Sequence, residues 1–209
     1  MTEVSECSQQ RGNLKDNRYI TENHKYIADG IKHMKKRIIE VVEYDSQWPE
    51  LYQKEANLLN NILNGNIHRI HHIGSTSVEY LAAKPIIDIL VEVNDINELD
   101  NYTDIMQSHG YKAKGEFGIT GRRYFQKGGN NRTHQVHAFK VGDPQIAKHL
   151  AFRNYLRKYP NIAKEYGDLK KQVVEICNND IDTYCSGKEA FIIHHLVEAL
   201  KEYPNYITE

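Results

Sequence analysis

Neither sign of charge dominates this chain of 209 residues: 27 Lys and Arg stand against 28 Asp and Glu, so no global basic field argues for a long nucleic acid as partner. Cysteine is scarce. Cys7, Cys177 and Cys185 are odd in number, scattered and without metal-ligand spacing, which argues against a disulfide framework and suits a reducing cytoplasm. No apolar run approaches the roughly 20 residues of a membrane span, and the N-terminus lacks the charged-then-apolar order of a signal peptide. A cytoplasmic protein with no membrane partner is expected. Internal repeats and low-complexity tracts are missing as well. The length suits one domain, or one domain plus an extension.

Residues 1–36 are polar, with apolar residues too sparse for a stable face, and are expected to form a flexible extension. Ile27, Ile31 and Met34 give 23–36 a weak helical spacing, and Met34 is a plausible alternative start. The domain proper is expected over 37–209. It opens with an apolar strand at 37–44, followed by a helix carrying Trp48, Leu51, Leu58, Leu59, Ile62 and Leu63 near one face, with Pro49 in its first turn. Trp48 reads as a core plug. Asn64-Gly65-Asn66 closes this helix, and a strand follows at 67–73.

The run Ile86, Ile87, Ile89, Leu90, Val91 and Val93 predicts a strand buried on both faces. Asp95 and Glu98 have capping-box spacing for a helix that Gly110 ends. Strands at 111–117, 122–127 and 132–139, parted by glycine-rich turns, predict an antiparallel meander. Helices follow at 145–158, 161–178 and 188–203, bounded by Pro160 and by Ser186-Gly187. This order gives an α+β fold: a mixed sheet flanked by helices, with a helical C-terminal tail.

Asp88 stands in the middle of the most apolar strand, where a carboxylate is costly unless it is paired, hydrogen-bonded or bound to a metal. Gly74, Ser75 and Thr76 leave the preceding strand and open a short helix, an arrangement that suits phosphate; ordinary capping is the alternative. The spacing lets this turn and Asp88 meet at one cleft. His134 and His137, three apart in a strand, fall on opposite faces, so one of them can look into that cleft as a ligand or general base. Lys84, Arg123, His149, Arg153 and Lys188 are candidate phosphate contacts.

The run from Gly74 to Val93, GSTSVEYLAAKPIIDILVEV, resembles the GrpB family within the polymerase-β-like nucleotidyltransferase superfamily. Tyr44, Trp48 and Pro49 fit the same pattern, as do Arg132, Thr133, His134 and His137, then His149, Leu150, Phe152, Arg153, Tyr155 and Leu156. Tyr184, Lys188, Phe191 and Ile192 complete it, so the resemblance covers 37–203. It implies a nucleotidyltransferase-like fold, a bound nucleotide with a single Mg2+ on Asp88, and nucleotidyl transfer to a small acceptor hydroxyl. The superfamily's metal pair uses two acidic residues separated by one. The second position here is Leu90, which makes a non-catalytic nucleotide-binding or interaction module the alternative.

Overall fold

The structure is a computed structural model describing residues 38–203; the extension at 1–36 and the helical spacing at 23–36 lie outside the described residues. The helices are α1 (Trp48–Ile62), α2 (Thr103–Ser108), α3 (Pro144–Lys158), α4 (Pro160–Ile176) and α5 (Ile181–Glu202). The strands are β1 (Ile67–Ile73), β2 (Ile87–Val93), β3 (Tyr111–Ala113), β4 (Arg123–Lys127) and β5 (His134–Lys140). They form one sheet in the order β1-β2-β5-β4-β3, in which only the β2–β5 pair is parallel. The α+β class and the mixed sheet are those expected, and β5, β4 and β3 form the antiparallel meander. No helix among the described residues is long and apolar enough to cross a membrane.

Strand alternation divides the core between the two faces. Ile87, Ile89, Val91 and Val93 pack with Leu59 and Leu63 from α1 and its end, with Leu99 and Met106, and with Phe125 and Val136 from neighbouring strands. Trp48, 2 % exposed, belongs to this core and meets the Tyr44 ring edge-on at 5.3 Å. Leu90 looks the other way, into Ile73, Phe139, Ile146 and Leu150, so α3 covers the second face. A further cluster joins Val78 and Leu81 to Phe152 and Leu156 of α3, Ala163 and Tyr166 of α4, and Ile192 of α5. Each such side chain contributes about 1.5–3 kcal/mol when fully buried. This cluster holds the segment between β1 and β2 against the C-terminal helices.

Several local expectations are corrected. Of the strand expected at 37–44, the described residues 38–44 show an isolated bridge between Val42 and Ala83, with Ile38 exposed and Ile39 buried. The helix expected after Asp95 is split into a 3-10 stretch, Asn97–Tyr102, and the short α2; Asp95 Oδ1 accepts from the Asn97 N–H. Strand β3 stops at Ala113, before Gly115 and a residue in the left-handed region, Phe117. Helix α5 begins at Ile181, where the Asp180 side chain accepts from the Thr183 N–H. Gly187 is therefore inside the helix. A β-carbon there would sit 2.7 Å from Val173 Cγ1, so glycine serves close approach of α4 and α5.

Candidate functional site

Ile73, the last residue of β1, pairs in register with Asp88 of β2, so the turn after β1 is laid across the carboxylate. Gly74 has φ 69° and ψ −176°, a conformation reserved almost entirely for glycine. A β-carbon at Gly74 would lie 2.5 Å from Asp88 Oδ2. The Gly74 carbonyl accepts from Ser77 Oγ at 2.6 Å. The helix expected here is a single 3-10 turn, Ser75–Ser77, too short to supply a helix dipole.

Positive charge arrives instead from α4. Lys170 is fully buried; its Nζ lies over the Tyr166 ring and donates to Ser75 Oγ at 2.8 Å. While accepting from Lys170, the Ser75 hydroxyl keeps its own hydrogen to donate. Thr76 is turned inward. Its hydroxyl donates to the Ile86 carbonyl at 3.3 Å and lies 3.0 Å from His72 Nε2, so its role is structural, not that of a phosphate contact.

Beside Asp88 on β5 stands Gln135, and beside Leu90 stands His137. His137 Nε2 is 3.9 Å from Asp88 Oδ1, so His137 is the histidine of the expected pair that shares the Asp88 face. Buried Arg122 packs against the Tyr124 ring, donates to the Glu116 and Phe117 carbonyls, and brings Nη1 to 3.4 Å from His137 Nδ1. A guanidinium offers only donors. Nδ1 therefore accepts and the ring hydrogen sits on Nε2, facing the carboxylate.

This donor set does not fit a metal pair. A histidine protonated at Nε2 has no lone pair to give there, Gln135 is neutral, and Leu90 is packed in the core. Glu92, farther along the face, is held by His71 at 2.5 Å. No group of three or more potential ligands suited to a metal occurs among the described residues. A single Mg2+ would rest on Asp88 alone among these carboxylates.

The other expected contacts are distributed differently. His134 points to the opposite face, bonded to Thr133 and 3.8 Å from Glu55 Oε2. Burial lowers its pKa against the pull of Glu55, which itself accepts from Tyr111 and Lys127. Arg123 also faces away, forked onto both oxygens of Asp100 at 2.7 and 2.9 Å. Arg153 braces β1 by donating to the His72 carbonyl at 3.1 Å. His149 lies behind His137, with ring centroids 5.7 Å apart, and burial above all lowers its pKa well below the ordinary value.

Lys84 and Lys188 both approach the buried Tyr184 ring, at 4.9 and 4.0 Å. Lys188 follows Gly187, which packs on Val173, one helical turn from Lys170. The structure thus joins Gly74, Ser75, Asp88 and His137, and sets Lys188 on the same helical seam as Lys170. It turns His134 and Arg123 to the opposite face, and Thr76, within the turn, aims its hydroxyl inward.

One residue, Lys170, was not singled out from the sequence. It had a readable signal, since it falls in the buried stripe Ala163, Tyr166, Gly167, Lys170 and Val173, where a lysine is out of place. Arg122 and Arg123 alternate in the sequence as possible triphosphate contacts, and of the two it is Arg122, one residue ahead of β4, that turns toward His137.

Residues 38–198 match the family described as GrpB protein. The chain is 49% identical over 157 residues to the UPF0157 protein YqkA of Bacillus subtilis, covering 75% of this chain but 46% of that protein, so it spans about half the length of this relative. It is 31% identical to the glutamate-rich protein GrpB of Alkalihalophilus pseudofirmus, covering 73% of this chain and 90% of that one. The crystal structure of the conserved protein GrpB from Enterococcus faecalis superposes with a TM-score of 0.76 at 48% identity, covering 78% of this chain and 99% of that one. The matched residues 38–198 hold the Gly74 turn, Asp88 and His137, and the chain belongs to the GrpB family.

Proposed function

We propose that this protein binds a nucleotide through its polyphosphate at the Gly74-Ser75 turn. The observation that carries the reading is the bond from Lys170 Nζ to Ser75 Oγ, which places a buried cation behind a hydroxyl still able to donate. A glycine in a conformation that other residues avoid brings the backbone close to whatever sits on the turn. Calorimetric titration with the common nucleoside triphosphates and the matching nucleosides tests this. At least one triphosphate should bind and its nucleoside should not, and Ser75→Ala should weaken binding about tenfold, the equivalent of one charge-assisted hydrogen bond. Indifference to Ser75→Ala would remove the turn from the binding site.

A second reading, nucleotidyl transfer, is favoured by the Asp88 carboxylate lying against the turn, where a β-carbon on Gly74 would be 2.5 Å from its Oδ2. In it a divalent ion on Asp88 would bind the phosphates, and an acceptor hydroxyl would displace pyrophosphate in line. Release of pyrophosphate with Mg2+ or Mn2+ and small hydroxyl acceptors, abolished in Asp88→Ala, would establish it. Absence of release with every nucleotide that binds would leave the binding function alone.

A further inference from the structure

One cation, Lys170, is fixed at the turn by its bond to Ser75, whereas the carboxylates a metal would need are few. Lys170 and Lys188 are fully buried, Arg122 is 1 % exposed, and Lys84 is half-buried on the Tyr184 ring that Lys188 also faces. Against them, the Asp88 face offers one carboxylate at this end of the sheet, with Gln135 and Leu90 at the nearest neighbouring positions. Arg122 occupies Nδ1 of His137, and the other ring nitrogen, Nε2, stands 3.9 Å from Asp88 Oδ1, beyond hydrogen-bond reach.

Electrostatics set the sign of what such a place accepts. Charges in a low-dielectric interior interact more strongly than the same charges in water. A divalent ion on Asp88 would find one carboxylate there, with the neutral Gln135 and Leu90 at the neighbouring positions. An anion entering at Ser75 meets the opposite situation: the ammonium of Lys170 lies beneath the hydroxyl and strengthens its donation.

We infer that the buried Lys170 does the work of a metal, so that a polyphosphate chain is held at Ser75 with no divalent ion required. This rests on the nucleotide-binding reading and specifies how the phosphate is neutralised. Lys170 acts through Ser75 and is a positioning residue. Asp88 repels the ligand in this arrangement and does not anchor it.

The test is titration of the full chain with inorganic tripolyphosphate and with ATP, in EDTA and in excess Mg2+, by calorimetry and by thermal shift. Binding in EDTA should match binding in Mg2+ to within about threefold, and Lys170→Met should weaken it about tenfold or more. Asp88→Asn, an isosteric change, should leave binding intact or tighten it, and it carries the test if Lys170→Met does not fold. Binding that appears only with Mg2+ or Mn2+, and disappears in Asp88→Asn, would overturn the inference while leaving the nucleotide reading standing. Binding in EDTA that ignores Lys170→Met in a folded variant would overturn the role of the lysine. Failure of both probes under both conditions would overturn this inference, and failure of every other nucleotide as well would overturn the nucleotide reading.

Discussion

Gly74 and Asp88 touch so closely that no side chain fits between them: a β-carbon on Gly74 would lie 2.5 Å from Asp88 Oδ2 and 3.0 Å from Asp88 Cβ. Gly74→Ala therefore combines backbone strain, at φ 69° and ψ −176°, with displacement of the carboxylate. The expected loss is about 2–4 kcal/mol by denaturant unfolding. In an Asp88→Ala background the same substitution should cost less, because only the backbone component remains. Equal costs in the two backgrounds would show that the carboxylate gives way freely.

Ser75 and Thr76 are neighbours whose hydroxyls meet different partners, Lys170 for one and the Ile86 carbonyl for the other. Thr76→Val removes a buried hydroxyl that donates to the Ile86 carbonyl and lies against His72 Nε2, and should cost about 1–3 kcal/mol of stability. Ligand affinity of the folded variant should be unchanged. A Thr76→Val protein of normal stability that no longer binds phosphate would reverse the assignment of the two hydroxyls.

His72 is stacked on Tyr52 with ring centroids 4.6 Å apart. Burial, then the charges of Arg157 and Arg153, hold its pKa down to about 3. Its unfolded value is about 6.5, so the folded state favours the neutral ring and unfolding takes up a proton as the solution is acidified. The stabilisation is fully present above about pH 6.5 and is lost as pH falls from there toward 3. Between about pH 7 and pH 5 the loss from this residue is about 2 kcal/mol. His149, also lowered by burial, acts in the same direction. Urea unfolding at the two pH values measures the sum, and His72→Asn should flatten the dependence; an unchanged slope would place the titration elsewhere.

Gly187→Ala puts helix propensity against packing. Alanine is a better helix former than glycine by about 1 kcal/mol. The new methyl, however, would fall 2.7 and 2.8 Å from the two γ-carbons of Val173, whose branched side chain has little freedom to yield. Overpacking should win, for a net destabilisation of about 1–2 kcal/mol. Val173→Ala in the same protein should restore much of it, and thermal unfolding of the double-mutant cycle decides the point.

The sequence made the frame readable wherever a long pattern was at work. Strand β2 and helix α1 announce themselves by apolar runs that only burial explains, and Pro160 parts α3 from α4 at the expected place. Residues 37–44 have the composition of a strand, but a strand needs a neighbour with free backbone groups, and Ala83 offers only a bridge. Gly187 reads as a helix boundary because spacing says nothing about the Val173 side chain that occupies the facing position. Alternation shows that only one of His134 and His137 can share a face with Asp88. Selecting His137 needs the β2–β5 register, in which Leu90 pairs with His137. Arg123 illustrates the same limit, since β4 begins at that residue and sends it to Asp100 while Arg122 turns back toward His137.

The bond between Lys170 and Ser75 joins positions 95 residues apart. On a ribosome adding about 5–20 residues per second, the turn precedes its lysine by roughly 5–20 seconds. A nascent chain that has not yet released α4 already contains the turn and the acidic strand, but has no ammonium beneath Ser75. The proposed phosphate binding at this turn would thereby wait for the synthesis and docking of α4. Affinity measured during refolding would report the docking of the C-terminal helices, independently of the formation of the sheet.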